Sequence, residues 1–76
     1  MQTHPQFAER VAVQISAIVA RRAESVRFQF TAPGGVWYVR RTIKSSTPEG
    51  IMAEAVKACA IAGKRAGGAA VLCGAE

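Results

Sequence analysis

Apolar and polar residues alternate one by one in two neighbouring stretches near the middle of the chain. This period of two is typical of β-strands with one buried face, and it predicts a β-hairpin over residues 25–44. A two-stranded hairpin is only marginally stable in water, so another part of the chain must cover its apolar face. That face would comprise Val26, Phe28, Phe30, Trp37, Val39 and Ile43.

The turn of the hairpin, at residues 32–35, can close in two ways. A loop formed by the two glycines places Phe30 opposite Val39. A type II turn centred on the Pro-Gly pair places Phe30 opposite Trp37 instead. In both pairings Arg41 lies on the apolar face, and we expect it near a sheet edge, where its guanidinium can reach a partner or water.

A first helix is predicted over residues 6–22, which contain neither glycine nor proline. Its apolar stripe recurs every three to four positions, as in an amphipathic helix. The stripe consists of Phe7, Val11, Ile15, Ile18 and Arg22. Pro5 suits the first turn, with Thr3 or His4 as the capping residue. Arg21 and Arg22 are expected in the last turn, where they complement the helix dipole.

A second helix is indicated by Thr47, Pro48 and Glu49, which form an N-cap, a first-turn proline and a carboxylate at the positive dipole end. We expect this helix to run to about Ala62 and to end at a left-handed Gly63. Its inward-facing residues would be Ile51, Met52, Ala55, Val56, Cys59 and Ala62. Its solvent-facing charged residues would be Glu54, Lys57 and Lys64.

The remaining residues complete a single small domain. Residues 64–68 predict a mobile turn, and the apolar run 69–73 predicts a buried third strand. The order α-β-β-α-β then favours an α+β two-layer sandwich, with a three-stranded antiparallel sheet of strand order 2-1-3 and both helices on one face. Its two sheet edges stay open, so we expect a homodimer through strand pairing or, alternatively, through the first helix.

Composition bounds the classes of partner. Ten basic and five acidic residues give a net charge of +5 and a sequence pI near 10.0. Such a surface attracts nucleic acid, anionic membranes or acidic proteins, although the charge also simply keeps a small protein soluble. The sequence has no apolar run of the roughly 20 residues that span a membrane, and its first residues lack a secretory-signal pattern. We expect a soluble, cytoplasmic protein that does not act at membranes.

Few residues are suited to catalysis or to metal binding. Two cysteines and one histidine are too few for a typical zinc site, so we expect no metal and no cofactor. Cys59 and Cys73 lie among apolar residues, which predicts buried, reduced thiols. The five glutamates lack an evident partner for proton transfer, and the sequence therefore predicts no enzyme.

Residues 63–68, Gly-Lys-Arg-Ala-Gly-Gly, resemble two kinds of phosphate-binding loop without matching either. A P-loop has the spacing Gly-x-x-x-x-Gly-Lys-Ser/Thr and follows a strand, whereas these residues follow a helix. The loop of KH domains is Gly-x-x-Gly, and Ala66 stands where its second glycine should be. Lys64 and Arg65 are also explained by dipole complementarity at a helix end.

The polar face of the hairpin is the strongest functional feature of the sequence. Arg27, Arg40 and Lys44 would repel one another across the strands unless an anion or water screens them. Tyr38 offers a stacking plane among these cations. The alternative is a solvated sheet face that binds nothing. The predicted partner-binding residues are Arg27, Gln29, Tyr38, Arg40, Lys44, Lys64 and Arg65.

The stretch Phe28–Leu72 resembles the small anti-CRISPR and related anti-defence proteins of bacterial phages and mobile elements. The resemblance rests on a glycine-turned hairpin, the segment Ser-Thr-Pro-Glu at 46–49, the alanine-rich residues 53–58 and a short apolar strand. It implies a non-catalytic protein in the bacterial host cytoplasm that occludes a site on a CRISPR-type defence complex. No functional residue is transferred, because the group shares no common motif.

Two functions of other classes compete with this interpretation. One is a small nucleic-acid-binding module or regulator that uses the basic face on phosphates. The other is an assembly protein whose apolar helix surface builds an oligomer. Salt separates binding to phosphates from binding to a protein, because phosphate contacts weaken steeply with salt and a packed protein interface weakens less.

Overall fold

Two helices and three strands make up residues 5–76, the part of the chain described by this computed structural model. In chain order they are α1 (Pro5–Ala20), β1 (Ser25–Ala32), β2 (Gly35–Thr42), α2 (Pro48–Ala66) and β3 (Val71–Ala75). The capping role predicted for Thr3 or His4 lies outside the described residues.

The strands form one antiparallel sheet in the order β2-β1-β3. The predicted α+β fold and its strand order are therefore confirmed. Phe30 lies opposite Trp37, so the hairpin closes through the Pro33-Gly34 pair. Gly34 has a φ of 89°, which suits the third position of a type II turn.

The core lies between the sheet and the two helices. Side chains from every element meet there, and Phe28, Phe30, Ile51 and Leu72 are completely buried. From α1 the core receives Val11, Ile15 and Ile18, as the predicted stripe requires. The even positions of β1 are all buried from Val26 to Phe30, which confirms the predicted alternation.

The prediction for the end of α1 is wrong. The helix ends at Ala20, and neither Arg21 nor Arg22 belongs to its last turn. The amide of Arg22 donates to Val19 O at 3.1 Å, and the amide of Ala23 donates to Ile18 O at 3.3 Å. These two bonds define a Schellman motif, in which Arg22 occupies the left-handed position with a φ of 50°.

The predicted start of α2 is confirmed, but its predicted end is wrong. The hydroxyl of Thr47 accepts a hydrogen bond from Gly50 N at 3.1 Å, and Pro48 opens the helix. The left-handed cap is Gly67, with a φ of 76°, so the helix passes through Gly63 and includes Lys64, Arg65 and Ala66. Residues 64–66, predicted to lie in a mobile turn, therefore belong to the helix, and only Gly67 and Gly68 of that predicted turn follow it.

The predicted inward face of α2 is also partly wrong. Its buried stripe is Ile51, Ala55, Ala58 and Ala62, flanked on one side by the buried Glu54. Met52 and Cys59 are half-buried on the other side. Val56, predicted to face inward, is 50% exposed, and Glu54, predicted to face solvent, is 6% exposed. Small alanines occupy three of the four stripe positions, so the pattern of large apolar residues misstates where the face lies.

The third strand starts later than predicted and contains a β-bulge. It runs over Val71–Ala75 rather than residues 69–73. Gln29 pairs with Gly74 and Phe30 pairs with Leu72, so Cys73 is the extra residue of the bulge. The bulge changes the phase of the strand, so that Leu72 and Ala75 both face the core.

Candidate functional site

The sheet face opposite the helices, here called the outer face, is not covered by any element within residues 5–76. Both helices pack on the other face, so the outer face is open to a partner. It carries most of the residues predicted for binding. Its residues on the two hairpin strands are Ser25, Arg27, Gln29, Thr31, Val36, Tyr38, Arg40 and Thr42.

Two arginines, Arg27 and Arg40, lie directly opposite each other at the centre of the outer face. The Arg27 guanidinium forms an ion pair with the carboxylate of Glu76 and stands 4.7 Å from the centroid of the Tyr38 ring. Arg40 Nη1 donates to Ser25 Oγ at 3.3 Å. Groups of the chain itself therefore relieve the repulsion that the sequence predicted between these cations.

The bulge places Glu76 on the outer face beside Arg27. The amide of Arg27 donates to Glu76 O at 2.6 Å, and the amide of Glu76 donates to Arg27 O at 3.0 Å. This backbone pair extends the β1–β3 ladder by one residue. Sequence reasoning missed Glu76 as a site residue, because a bulge at Cys73 leaves no mark in the apolar pattern.

A shallow groove of about 550 Å³ runs from the outer face to the end of α1. We call it the arginine groove. It brings three arginines together with two carboxylates, so it is basic but contains both signs of charge. Arg21 enters it from the turn after α1, although the sequence predicted that residue in the last turn of α1 and did not include it among the partner-binding residues. Its lining residues are Arg21, Ala23, Glu24, Ser25, Arg27, Arg40 and Glu76.

The other predicted cations lie at two different ends of the molecule. Lys44 is exposed just after β2, next to Ile43, whose amide donates to Glu24 O in the groove region. Lys64 and Arg65 lie in the last turn of α2, on the helix side of the sheet. The chain just after α2 adjoins Pro33 in the hairpin turn, one strand length or about 23 Å from the groove. The structure thus does not bring Lys64 and Arg65 together with the other predicted site residues.

The hairpin end of the outer face exposes apolar surface. Val36 is 53% exposed and Tyr38 is 50% exposed. Trp37 lies on the opposite face, where its indole nitrogen donates to Pro33 O at 3.1 Å and holds the turn in place. The outer face therefore changes along the strands, from charged at the groove to apolar and aromatic near the turn.

An ion cluster on the helix side provides the partner that the Arg41 guanidinium needs on the apolar face of the sheet. Its Nε donates to Glu54 Oε1 at 3.1 Å, and Lys57 Nζ donates to Glu54 Oε2 at 3.2 Å. The hydrogen bond from Lys57 and the bond from Arg41 hold the pKa of Glu54 below its ordinary value, against the opposing effect of burial. The expected edge location and partner of Arg41 are confirmed, and the cluster serves the fold rather than the outer face.

The two cysteines are free thiols in the structure. Cys73 is buried as predicted, and its Sγ lies 3.5 Å from Gln29 O and 3.6 Å from Thr31 Oγ1. Cys59 is half-buried rather than buried, and its thiol donates to Ala70 O at 3.3 Å. Residues 5–76 contain no group of three His, Cys, Asp or Glu side chains placed to hold a metal ion.

A second groove, of about 390 Å³, lies on the helix side between α1 and the start of α2. Its lining is mainly apolar and includes Val11, Ile15 and Met52. It presents no charged side chain. None of the helices described over residues 5–76 is long and apolar enough to cross a membrane.

Comparison with known proteins adds no further site residues. No protein-family model, curated protein or solved structure matches this chain.

Proposed function

We propose that this chain is a small, non-catalytic binding protein that uses its outer face to bind a surface of mixed charge on another protein. The observation that carries the proposal is the position of Arg27 between Glu76 and Tyr38. The central cation of the face is already paired within the chain. A phosphate backbone would meet a neutralised centre and two carboxylates, whereas a protein surface can match a mixture of both charges.

The composition of the face fits a protein interface. Arginine and tyrosine are enriched among the residues that contribute most binding free energy. Arg40 and Tyr38 are both exposed on an open, regular sheet, next to the exposed Val36. A rigid scaffold of this kind loses little conformational entropy on binding.

The proposed biological role is occlusion of a site on a bacterial defence complex of the CRISPR type. It rests on the resemblance of Phe28–Leu72 to anti-defence proteins, and the open outer face supplies the contact surface that occlusion requires. Occlusion requires no catalytic group, only a surface that competes with another ligand. The location that this role requires is the cytoplasm of the bacterial host.

The test is binding to a panel of purified multi-subunit CRISPR effector complexes, with and without their target DNA. We expect the chain to bind one complex and to block its loading onto target DNA. Arg40→Glu should weaken that binding by at least about tenfold, because it reverses a charge at the centre of the interface. Arg65→Glu makes the same change of net charge on the helix side and should leave binding unchanged.

Two outcomes would contradict the proposal. Failure to bind or to block any complex of the panel would remove the role in occlusion. Equal losses for Arg40→Glu and Arg65→Glu would show that net charge, rather than the outer face, governs binding.

Binding to nucleic acid is the second candidate, because three arginines converge on the groove and Lys44 lies at the same end of the sheet. It predicts tight binding of short DNA or RNA. The logarithm of the binding constant should fall linearly with the logarithm of the salt concentration. Four phosphate contacts would lower the affinity roughly 150-fold between 50 and 200 mM salt, from a slope of about −0.9 per contact. Light scattering of the chain with single- and double-stranded DNA and RNA at those two concentrations tests this. A complex that collapses at the higher salt would replace the first proposal.

A further inference from the structure

The two edges of the sheet are treated differently. At the β3 edge, the amide of Ala75 donates to the side-chain Oε1 of Gln14 at 3.0 Å, so α1 occupies that edge. At the β2 edge no element of residues 5–76 covers the strand or bonds to its outward backbone groups. Unpaired strand edges are templates for another strand, and natural proteins usually block them. Only the β2 edge therefore stays available within the described chain.

The register identifies which backbone groups point to the open edge. Ile43 N donates to Glu24 O at 2.8 Å across the hairpin. Because the bonding direction alternates along an antiparallel strand, odd-numbered residues of β2 face β1 and even-numbered residues face outward. The N–H and C=O groups directed to the open edge belong to Val36, Tyr38, Arg40 and Thr42.

We propose that this edge pairs with the β2 edge of a second copy of the chain, antiparallel and with the two-fold axis at Val39. Such pairing is isologous, so the same strand supplies both sides of the interface. It would satisfy the outward N–H and C=O groups of both copies and join two three-stranded sheets into one of six strands. The inference does not rest on the proposed function, since it concerns backbone pairing along the edge, although the outer-face residues Tyr38 and Arg40 select its register.

The side-chain pattern of β2 favours this partner and this register. With the axis at Val39, Tyr38 of each copy lies opposite Arg40 of the other, which gives two cation–aromatic pairs. An axis at Arg40 would place like charges face to face. An axis at Tyr38 would place Arg40 opposite the apolar Val36. The strand is thus self-complementary in one register, and its exposed tyrosine and arginine find partners there.

The first test is the molar mass by light scattering over a series of concentrations. We expect a reversible dimer of twice the 8.0-kDa monomer mass. Tyr38→Pro removes an outward N–H without removing a bond to β1, and it should raise the dimer dissociation constant about tenfold or more. Tyr38→Ala keeps that N–H and should have a smaller effect.

A second pair of variants tests the register and does not depend on proline being tolerated. In a background with Cys59→Ala and Cys73→Ala, Val39→Cys places two thiols across the two-fold axis, where the Cβ atoms of facing residues are about 4.5–5.5 Å apart. It should form a disulfide-linked dimer under mild oxidation. Trp37→Cys lies opposite Arg41 of the other copy and should stay monomeric.

A monomer mass at all concentrations, together with no cross-link through Val39→Cys, would overturn the proposal. A dimer that persists in a folded Tyr38→Pro variant would equally overturn it, because the contact would then lie elsewhere on the molecule. Neither result affects the binding test of the outer face. In the first case the Arg40→Glu and Arg65→Glu comparison is made on a monomer, and in the second the dimer contact lies away from the β2 edge.

Discussion

Glu54 shows how one residue can connect two elements of this small fold. Its carboxylate accepts hydrogen bonds from Arg41 on β2 and from Lys57 one turn further along α2. A buried carboxylate is costly unless it is paired and hydrogen-bonded, and here both oxygens have partners. The cluster also explains how an arginine is accommodated on the apolar face of the sheet.

The Glu54 cluster should make stability depend on pH. The pKa of Glu54 is lowered in the folded state from an ordinary value of 4.5. Its stabilising contribution is therefore complete above that value and is lost as the pH falls through 4.5 towards the lowered folded pKa. Glu54→Gln should be less stable than the natural chain near neutral pH, and the difference should shrink in acid. Urea unfolding at a series of pH values measures both effects.

Glu9→Gln is the matched control for this experiment. Glu9 lies on the exposed side of α1, so its replacement removes the same charge without touching the cluster. A constant difference between Glu54→Gln and the natural chain at every pH would contradict the assigned role of the carboxylate.

The two helices end in related ways but with different residues. Both use a left-handed residue after the last turn, which is Gly67 for α2 and Arg22 for α1. Glycine adopts this conformation without a steric penalty, whereas a residue with a Cβ atom is strained by roughly 1 kcal/mol or more. The end of α1 therefore contains a local conflict that α2 avoids.

Arg22→Gly should stabilise the fold by about 1 kcal/mol, because glycine is the preferred residue at this position of a Schellman motif. Arg21→Gly removes the same charge one residue earlier, where no positive φ is required, and should not stabilise. Thermal or urea unfolding of the two variants gives the comparison. Equal shifts in both variants would mean that loss of charge, rather than backbone strain, is responsible.

The elements of this fold were predictable where large apolar residues repeat. The hairpin faces and the α1 stripe follow from such patterns. The Thr47 cap follows from the local Thr-Pro-Glu signal, and the strand order follows from connection rules. The end of α2 was not predictable, because both Gly63 and Gly67 are acceptable caps and only packing selects between them. The phase of α2 was misread because alanine contributes weakly to an apolar pattern.

The candidate site was predictable only in part. Period-two alternation placed Arg27, Tyr38 and Arg40 on one face, and the structure agrees. The contribution of Arg21 depends on how the chain turns after α1, and that of Glu76 depends on the bulge in β3. Both are long-range features, which no short window of sequence contains.

At the scale of the whole molecule, the net charge of +5 is not spread as one uniform basic surface. The arginine groove mixes both signs, the ion cluster neutralises Arg41 on the helix side, and Lys64 and Arg65 lie at the far end of the molecule. Net charge alone would favour polyanions. The local arrangement favours a partner that carries its own pattern of charges.

Removing one carboxylate from the groove should expose its latent affinity for anions. Glu76→Gln frees Arg27, so weak, non-specific binding of a short DNA duplex at low salt should become tighter. The slope of log binding constant against log salt concentration should steepen by about one. Glu9→Gln raises the net charge equally on α1 and should not steepen the slope. The stability of the fold should change little, because the Arg27–Glu76 pair is exposed. Fluorescence anisotropy titrations at several salt concentrations measure the slope, and equal slopes for the two variants would contradict this role of Glu76.

The bulge at Cys73 determines which residues of the third strand face the core. Upstream of it, Leu72 faces the core, and downstream of it Ala75 does so, although three positions separate them. Deleting Cys73 would restore strict alternation and leave the following residues opposite their present β1 partners, but it would remove the bulge and with it the local bend and twist of the strand. A substitution at this position alters one side chain, whereas a one-residue deletion or insertion changes the path of the backbone. Natural variation in β3 should therefore consist of replacements rather than changes of length.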